Sequence, residues 1–114
     1  MKRIDAIIRP ERVDLVAEAL DKAGITAFTL ADVRGHGRSP DRMGEWRGVK
    51  YEMLVTHKLS ITLLVDDEEV EAAVMAIAST ASTGSIGDGL ITVSPVDAVH
   101  AISAYGRAAD TGGS

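Results

Sequence analysis

The sequence predicts an α+β domain in which two helices cover one face of a four-stranded antiparallel sheet, in the order β-α-β-loop-β-α-β. Apolar residues recur at three- and four-residue intervals in two stretches, and in four others they alternate or run with β-branched neighbours. Glycine and proline punctuate the chain between those stretches. At 114 residues the chain fits one domain, and folding at that size buries roughly 65% of the unfolded surface.

In chain order, Ile4 to Ile8 is apolar and β-branched around Asp5, and Arg9-Pro10 closes it, because proline removes a ladder donor. Val13, Val16, Ala17, Leu20 and Ala23 then follow helical spacing, with Gly24 as the helix-ending residue. Ile25 to Val33, with Phe28, Leu30 and Val33 among threonines, reads as a half-buried strand that runs into Arg34-Gly35-His36-Gly37-Arg38. Leu59, Ile61, Leu63 and Val65 alternate with Ser60, Thr62 and Leu64, the clearest strand in the chain. Asp66-Asp67-Glu68-Glu69 places acidic residues where the positive end of a helix dipole favours them, ahead of Val70, Ala73, Val74, Ile77 and Ala81. Gly84, Gly87 and Gly89 bracket a tight turn before a short strand, Leu90 to Val93, which Pro95 stops. Beyond it lies a weakly helical or extended tail, and 108–114 is small, polar and expected to fray.

The segment from Gly35 to Val55 is different in kind. Gly37, Gly44, Gly48 and Pro40 leave it with little periodicity, so no regular structure is expected at its centre. A loop of this length in a small domain is usually functional or disordered. Arg38, Arg42, Arg47 and Lys50, with Arg34 just before it, make it locally basic against Asp41, Glu45 and Glu52. Such a run is either a solvated surface or a match for an acidic partner.

Bulk properties exclude several function classes. Seventeen acidic against 12 basic residues give a formal charge of −5, so the surface as a whole attracts neither nucleic acid nor acidic membranes. The chain holds one Phe, two Tyr and one Trp, and only Phe28 falls on an expected strand, which argues against base stacking on the sheet. Zero cysteines remove disulfides, thiolate metal sites and cysteine nucleophiles, and cytoplasmic localisation is the expectation. The N-terminus reaches Asp5 and Arg9 before any stretch resembling a signal peptide, and no apolar run approaches the roughly 20 residues that span a bilayer. No direct membrane insertion is expected. His36, His57 and His100 lack metal-ligand spacing, and no catalytic triad order is present, so neither a metal site nor a catalytic residue is assigned.

Four segments in register resemble the PII signal-transduction family of nitrogen-regulatory sensors. They are Ile4-Asp5-Ala6-Ile7-Ile8-Arg9-Pro10, Val33-Arg34-Gly35-His36-Gly37-Arg38, Trp46-Arg47-Gly48-Val49-Lys50-Tyr51, and Thr83-Gly84-Ser85-Ile86-Gly87-Asp88-Gly89, with Lys58 following the third. The resemblance implies a ferredoxin-like βαββαβ domain over 1–107, a T-loop-like effector loop at about 37–55, and a homotrimer whose neighbours cover the open sheet face. It implies adenine-nucleotide binding in intersubunit clefts, with no reaction and no required cofactor. The residues it implies for the nucleotide are Ile7, Thr29, Gly35, Gly37, Arg38, Leu64, Gly87, Asp88, Gly89 and Leu90. The physical sense is that glycine lets backbone N–H groups approach phosphate oxygens, while Arg38 supplies a charge-assisted bond. The alternative is that these glycines only make tight turns and Asp88 is a turn residue.

Four departures from that family pattern stand out. Members that bind ATP tightly carry basic residues where this chain has Leu90, Ala101 and Ser103. Each charge-assisted bond is worth roughly 1.5–3 kcal/mol, so their loss thins triphosphate binding unless Lys58 or Arg107 compensates. The glutamine that helps hold Mg²⁺ and 2-oxoglutarate is here Ser39, which lacks the amide carbonyl. The expectation is a PII-like sensor favouring ADP or AMP, with ATP as a further ligand and bicarbonate as a candidate small anion near Ser39, Lys58 or Arg107. It would control a membrane transporter or metabolic enzyme of nitrogen or inorganic-carbon metabolism. The alternatives are an ordinary nitrogen regulator responding to ATP, ADP and 2-oxoglutarate, and a ligand-free structural trimer. Tyr51 falls where some relatives are uridylylated, and is a modification site, a partner contact or a plain loop aromatic. Trp46 and Arg47 are the candidate partner contacts.

Overall fold

The computed structural model describes residues 1–36, 43–46, 49–52 and 55–106. Strand β1 (Lys2–Ile8) buries Ile4, Ala6 and Ile8 on one face and presents Arg3, Asp5 and Ile7 on the other, the period of two that the sequence shows. Pro10 opens a short 3₁₀ turn leading into helix α1 (Val13–Lys22), which sinks Val16 and Leu20 into the core. The helix ends as its sequence signals. Gly24 adopts φ +82°, its N–H donates to Asp21 O at 2.9 Å, and the Ile25 N–H returns to Leu20 O at 2.9 Å.

That cap explains why strand β2 (Thr29–Gly35) starts later than Ile25. Ile25 spends its N–H on the helix end and its side chain on the core, where it is 6% exposed, so strand pairing begins only at Thr29. Strand β3 (Met43–Trp46) and strand β4 (Val49–Glu52) correct the expectation of no regular structure at the centre of the long loop. They form a two-stranded antiparallel ribbon with Trp46 opposite Val49, Glu45 opposite Lys50 and Gly44 opposite Tyr51. Strand-forming residues flank Arg47-Gly48, and opposite charges fall at facing register positions. Both features favour a hairpin more than the scattered glycines oppose it.

Strand β5 (Thr56–Val65) pairs with β1 on one side and β2 on the other. Helix α2 (Val70–Ala81) follows a capping box in which the Asp66 N–H donates to Glu69 Oε1 at 3.0 Å, so the acidic run does start a helix. Strand β6 (Leu90–Pro95) carries its proline at its end, on a sheet edge, where the missing donor breaks no ladder. The sheet order β2-β5-β1-β6, antiparallel throughout, is the ferredoxin-like arrangement. One core joins sheet and helices, built from Ile4, Ile8, Val16, Leu20, Ile61, Leu63 and Ile77, all at most 2% exposed. Among the described residues no helix is long and apolar enough to cross a membrane.

Candidate functional site

The expected nucleotide residues fall into two groups at opposite ends of the sheet. At one end, β1 and β2 finish, β5 begins and the 83–89 turn enters β6. Ile7 lies opposite Ser60 and Leu90, while Gly35 lies opposite Thr56, whose hydroxyl donates to Gly35 O at 3.4 Å. At the other end, Thr29 lies opposite Thr62, and Leu64 lies opposite Arg3. From Lys58 to Leu64 the separation along β5 is about 20 Å at the usual strand rise.

The 83–89 turn is built to tolerances that only glycine meets. Gly84, Gly87 and Gly89 have φ of +82°, +100° and +100°. A Cβ on Gly89 would stand 1.7 Å from the backbone oxygen of Ile7, so β6 and β1 touch there through bare backbone. Gly89 and Leu90 line one depression of about 310 Å³ with Ile7, Ile77 and Asp88. A second, of about 410 Å³, lies at the far end and is lined by Phe28, Thr29, Thr62 and Leu64. Its Thr29 hydroxyl donates to Thr62 O at 3.5 Å.

Two cations buried in the fold serve the turn. Lys58, 7% exposed, donates from Nζ to Gly87 O at 2.9 Å. Arg9, 5% exposed, donates from Nε to Asp88 Oδ1 at 3.0 Å and from Nη2 to Ile86 O at 3.1 Å. Asp88 is further held by the N–H groups of Thr83 and Gly84, at 2.7 and 3.0 Å from Oδ2, and by the Thr83 hydroxyl on Oδ1. These contacts hold the Asp88 carboxyl far below the usual carboxylate range. The Thr83 hydroxyl contributes most, followed by the Thr83 N–H; desolvation opposes them, and Arg9 and then the Gly84 N–H add smaller lowering contributions.

Sequence reasoning assigned Arg9 only to the end of a strand. It lies 79 positions from Asp88, and no local motif announces that pairing. Leu90 is 60% exposed beside the turn and brings no charge. Ala101 and Ser103 lie at a 3₁₀ turn, Ile102–Ala104, next to a His100 Nδ1 that sits 2.7 Å from Tyr105 Oη. Gly37, Arg38, Ser39, Arg47 and Arg107 lie outside the described residues. Trp46 and Tyr51 are placed by their strand positions in the β3–β4 ribbon. Among the described residues no cluster of histidine and carboxylate side chains is arranged to hold a metal ion.

The chain matches the family model described as Nitrogen regulatory protein P-II over residues 1–105. It is 44% identical over 99 residues to the Nitrogen regulatory protein P-II of Synechocystis sp., covering 87% of this chain and 88% of that protein. Against the Nitrogen regulatory protein P-II 2 of Methanothermobacter thermautotrophicus the identity is 43% over 99 residues, covering 87% and 86%. For the Nitrogen regulatory protein P-II of Mesorhizobium japonicum it is 39% over 112 residues, covering 98% and 96%. With a family model matched over residues 1–105 and relatives at 39–44% identity across most of both chains, this chain belongs to the P-II nitrogen regulatory protein family.

Proposed function

We propose that the chain is a non-enzymatic signalling protein of the cytoplasm that binds adenine nucleotides, ADP or AMP in preference to Mg-ATP with 2-oxoglutarate. It acts through the 37–55 loop on a membrane transporter or metabolic enzyme of nitrogen or inorganic-carbon metabolism. The observation that carries this reading is the division of the candidate residues. Ile7, Gly35 and Gly87 to Leu90 sit at one end of the sheet, while Thr29 and Leu64 sit at the other. One cleft that uses both groups requires two copies of the chain, each giving one end, and a closed ring of three such contacts is a homotrimer.

The preference for fewer phosphates rests on charge. Leu90, Ala101 and Ser103 bring no cation, and Lys58 is engaged with Gly87 O. Lys58 also links ligand to output, because it lies in β5 just after the long loop and grips the turn that precedes β6. A small anion such as bicarbonate that draws on Lys58 would alter both ends of that link. The names of the relatives favour nitrogen regulation, and a second reading is an ordinary nitrogen regulator, for which a response to ATP, ADP and 2-oxoglutarate is the further proposal.

Sedimentation equilibrium checks the assembly, with a trimer expected. Calorimetry with ATP, ADP and AMP, each with and without Mg²⁺, 2-oxoglutarate and bicarbonate, separates the two readings. Tighter binding of Mg-ATP with 2-oxoglutarate than of ADP selects the second. No heat with any nucleotide, and no thermal shift at millimolar concentration, leaves a ligand-free structural trimer.

A further inference from the structure

A carboxylate in a turn that receives phosphates is an electrostatic liability, because an ionised Asp88 repels an anionic ligand. The turn offers three acceptors in succession, the carbonyls of Ile86 and Gly87 and the carboxylate of Asp88. Arg9 takes the first and third, and Lys58 takes the second. No peptide bond in the described chain is cis, and in a trans peptide C=O and N–H point in opposite directions. With the Ile86 and Gly87 carbonyls turned toward buried cations, the N–H groups of Gly87 and Asp88 point away from them.

We propose that Arg9 is a positioning residue for phosphate binding: it neutralises Asp88 and turns the Ile86 carbonyl inward, so that the turn presents N–H groups rather than oxygens to an anion. This rests on the nucleotide reading above and adds to it a residue that need not touch the ligand. Arg9 suits the task because the planar guanidinium reaches a carboxylate and a carbonyl at once, which an ammonium group does less well. Arg9 is 5% exposed and the Asp88 side chain 22%, so the guanidinium end of the pair is largely shielded from water.

The test compares wild type with Arg9→Met, Asp88→Asn and the double variant, measuring ADP and adenosine binding by calorimetry and ligand-free melting in parallel. Arg9→Met is expected to weaken ADP about tenfold or more while adenosine, which has no phosphate, changes little. Adding Asp88→Asn removes the unpaired carboxylate and recovers most of the loss. Wild-type ADP affinity in Arg9→Met, equal losses for ADP and adenosine, or no recovery in the double variant overturns the proposal. Should Arg9→Met not fold, Arg9→Gln with and without Asp88→Asn replaces it. Weaker ADP binding that the second change repairs supports the proposal, and unchanged ADP binding overturns it. A wild-type protein that binds no ADP overturns the nucleotide reading and this proposal together, whereas a normal Arg9→Met overturns this proposal alone.

Discussion

The 83–89 turn and the β3–β4 ribbon are both irregular insertions into a simple sheet, yet they are held in opposite ways. The turn is held from within, by the Thr83 and Gly84 contacts to Asp88, and is tied to the body by Arg9 from β1's end, Lys58 from β5 and the Ile7 backbone against Gly89. The ribbon, among the described residues, pairs only with itself. A two-stranded hairpin alone is marginally stable in water, so its conformation is open to bias from its base or from a partner. Under the function proposed above, the turn would serve reception, where geometry must be ready beforehand, and the ribbon output, where it must be able to change.

The largest effect should follow from breaking the turn's closest contact. Gly89→Ala puts a Cβ 1.7 Å from Ile7 O at a φ of +100°. Relief requires β6 and β1 to part. A stability loss of about 3 kcal/mol or more is expected, seen as a fall in Tm of about 10 °C or more, with nucleotide binding lost too. A melting curve like wild type would mean the two strands do not meet there.

Next in size is a change that adds what the turn lacks. Leu90→Lys places a cation at an exposed position beside Ile7 and should raise ATP affinity about tenfold at low salt, with little change in Tm. Equal affinity in both proteins would show that phosphate charge is not what limits ATP.

The acid response of Asp88 is smaller and has a definite sign. Its folded pKa is depressed, so it binds protons more weakly in the native state than in the unfolded chain, where aspartate titrates near about 3.9. Its stabilisation is complete above about pH 4 and declines as the pH falls toward the folded value. Urea midpoints measured from pH 6 to pH 2.5 should therefore fall less steeply for Asp88→Asn than for wild type. Parallel curves would remove Asp88 as a contributor.

The smallest expected effect is on the ribbon. Val49→Pro removes a ladder donor opposite Trp46, yet should leave the Tm of the body within about 1–2 °C, because no described strand outside the ribbon pairs with it. Pull-down of a partner from native extract should fail with the same variant. A large drop in Tm would show that the ribbon supports the body after all.

Much of this was legible in the sequence, where local spacing determines local structure. The β5 alternation, the Gly24 stop and the acidic start of α2 each depend on neighbours within a few residues. The ribbon is not legible locally, because glycines at 44 and 48 oppose the strand formers around them and the pairing register that favours a hairpin is not a local property. Arg9 was missed for another reason. Its role depends on contacts with Ile86 and Asp88, more than seventy positions away, and burial gives them their weight. The division of Ile7 and Gly89 from Thr29 and Leu64 likewise needed the sheet order before it could be seen.

The most direct test of the account is a calorimetric titration of the purified protein with ADP, set against Mg-ATP plus 2-oxoglutarate, at one known oligomeric state. The account predicts a trimer that binds ADP at one site per chain and binds it more tightly than the Mg-ATP and 2-oxoglutarate pair. A monomer that binds no nucleotide, or a trimer that prefers Mg-ATP with 2-oxoglutarate, would contradict it.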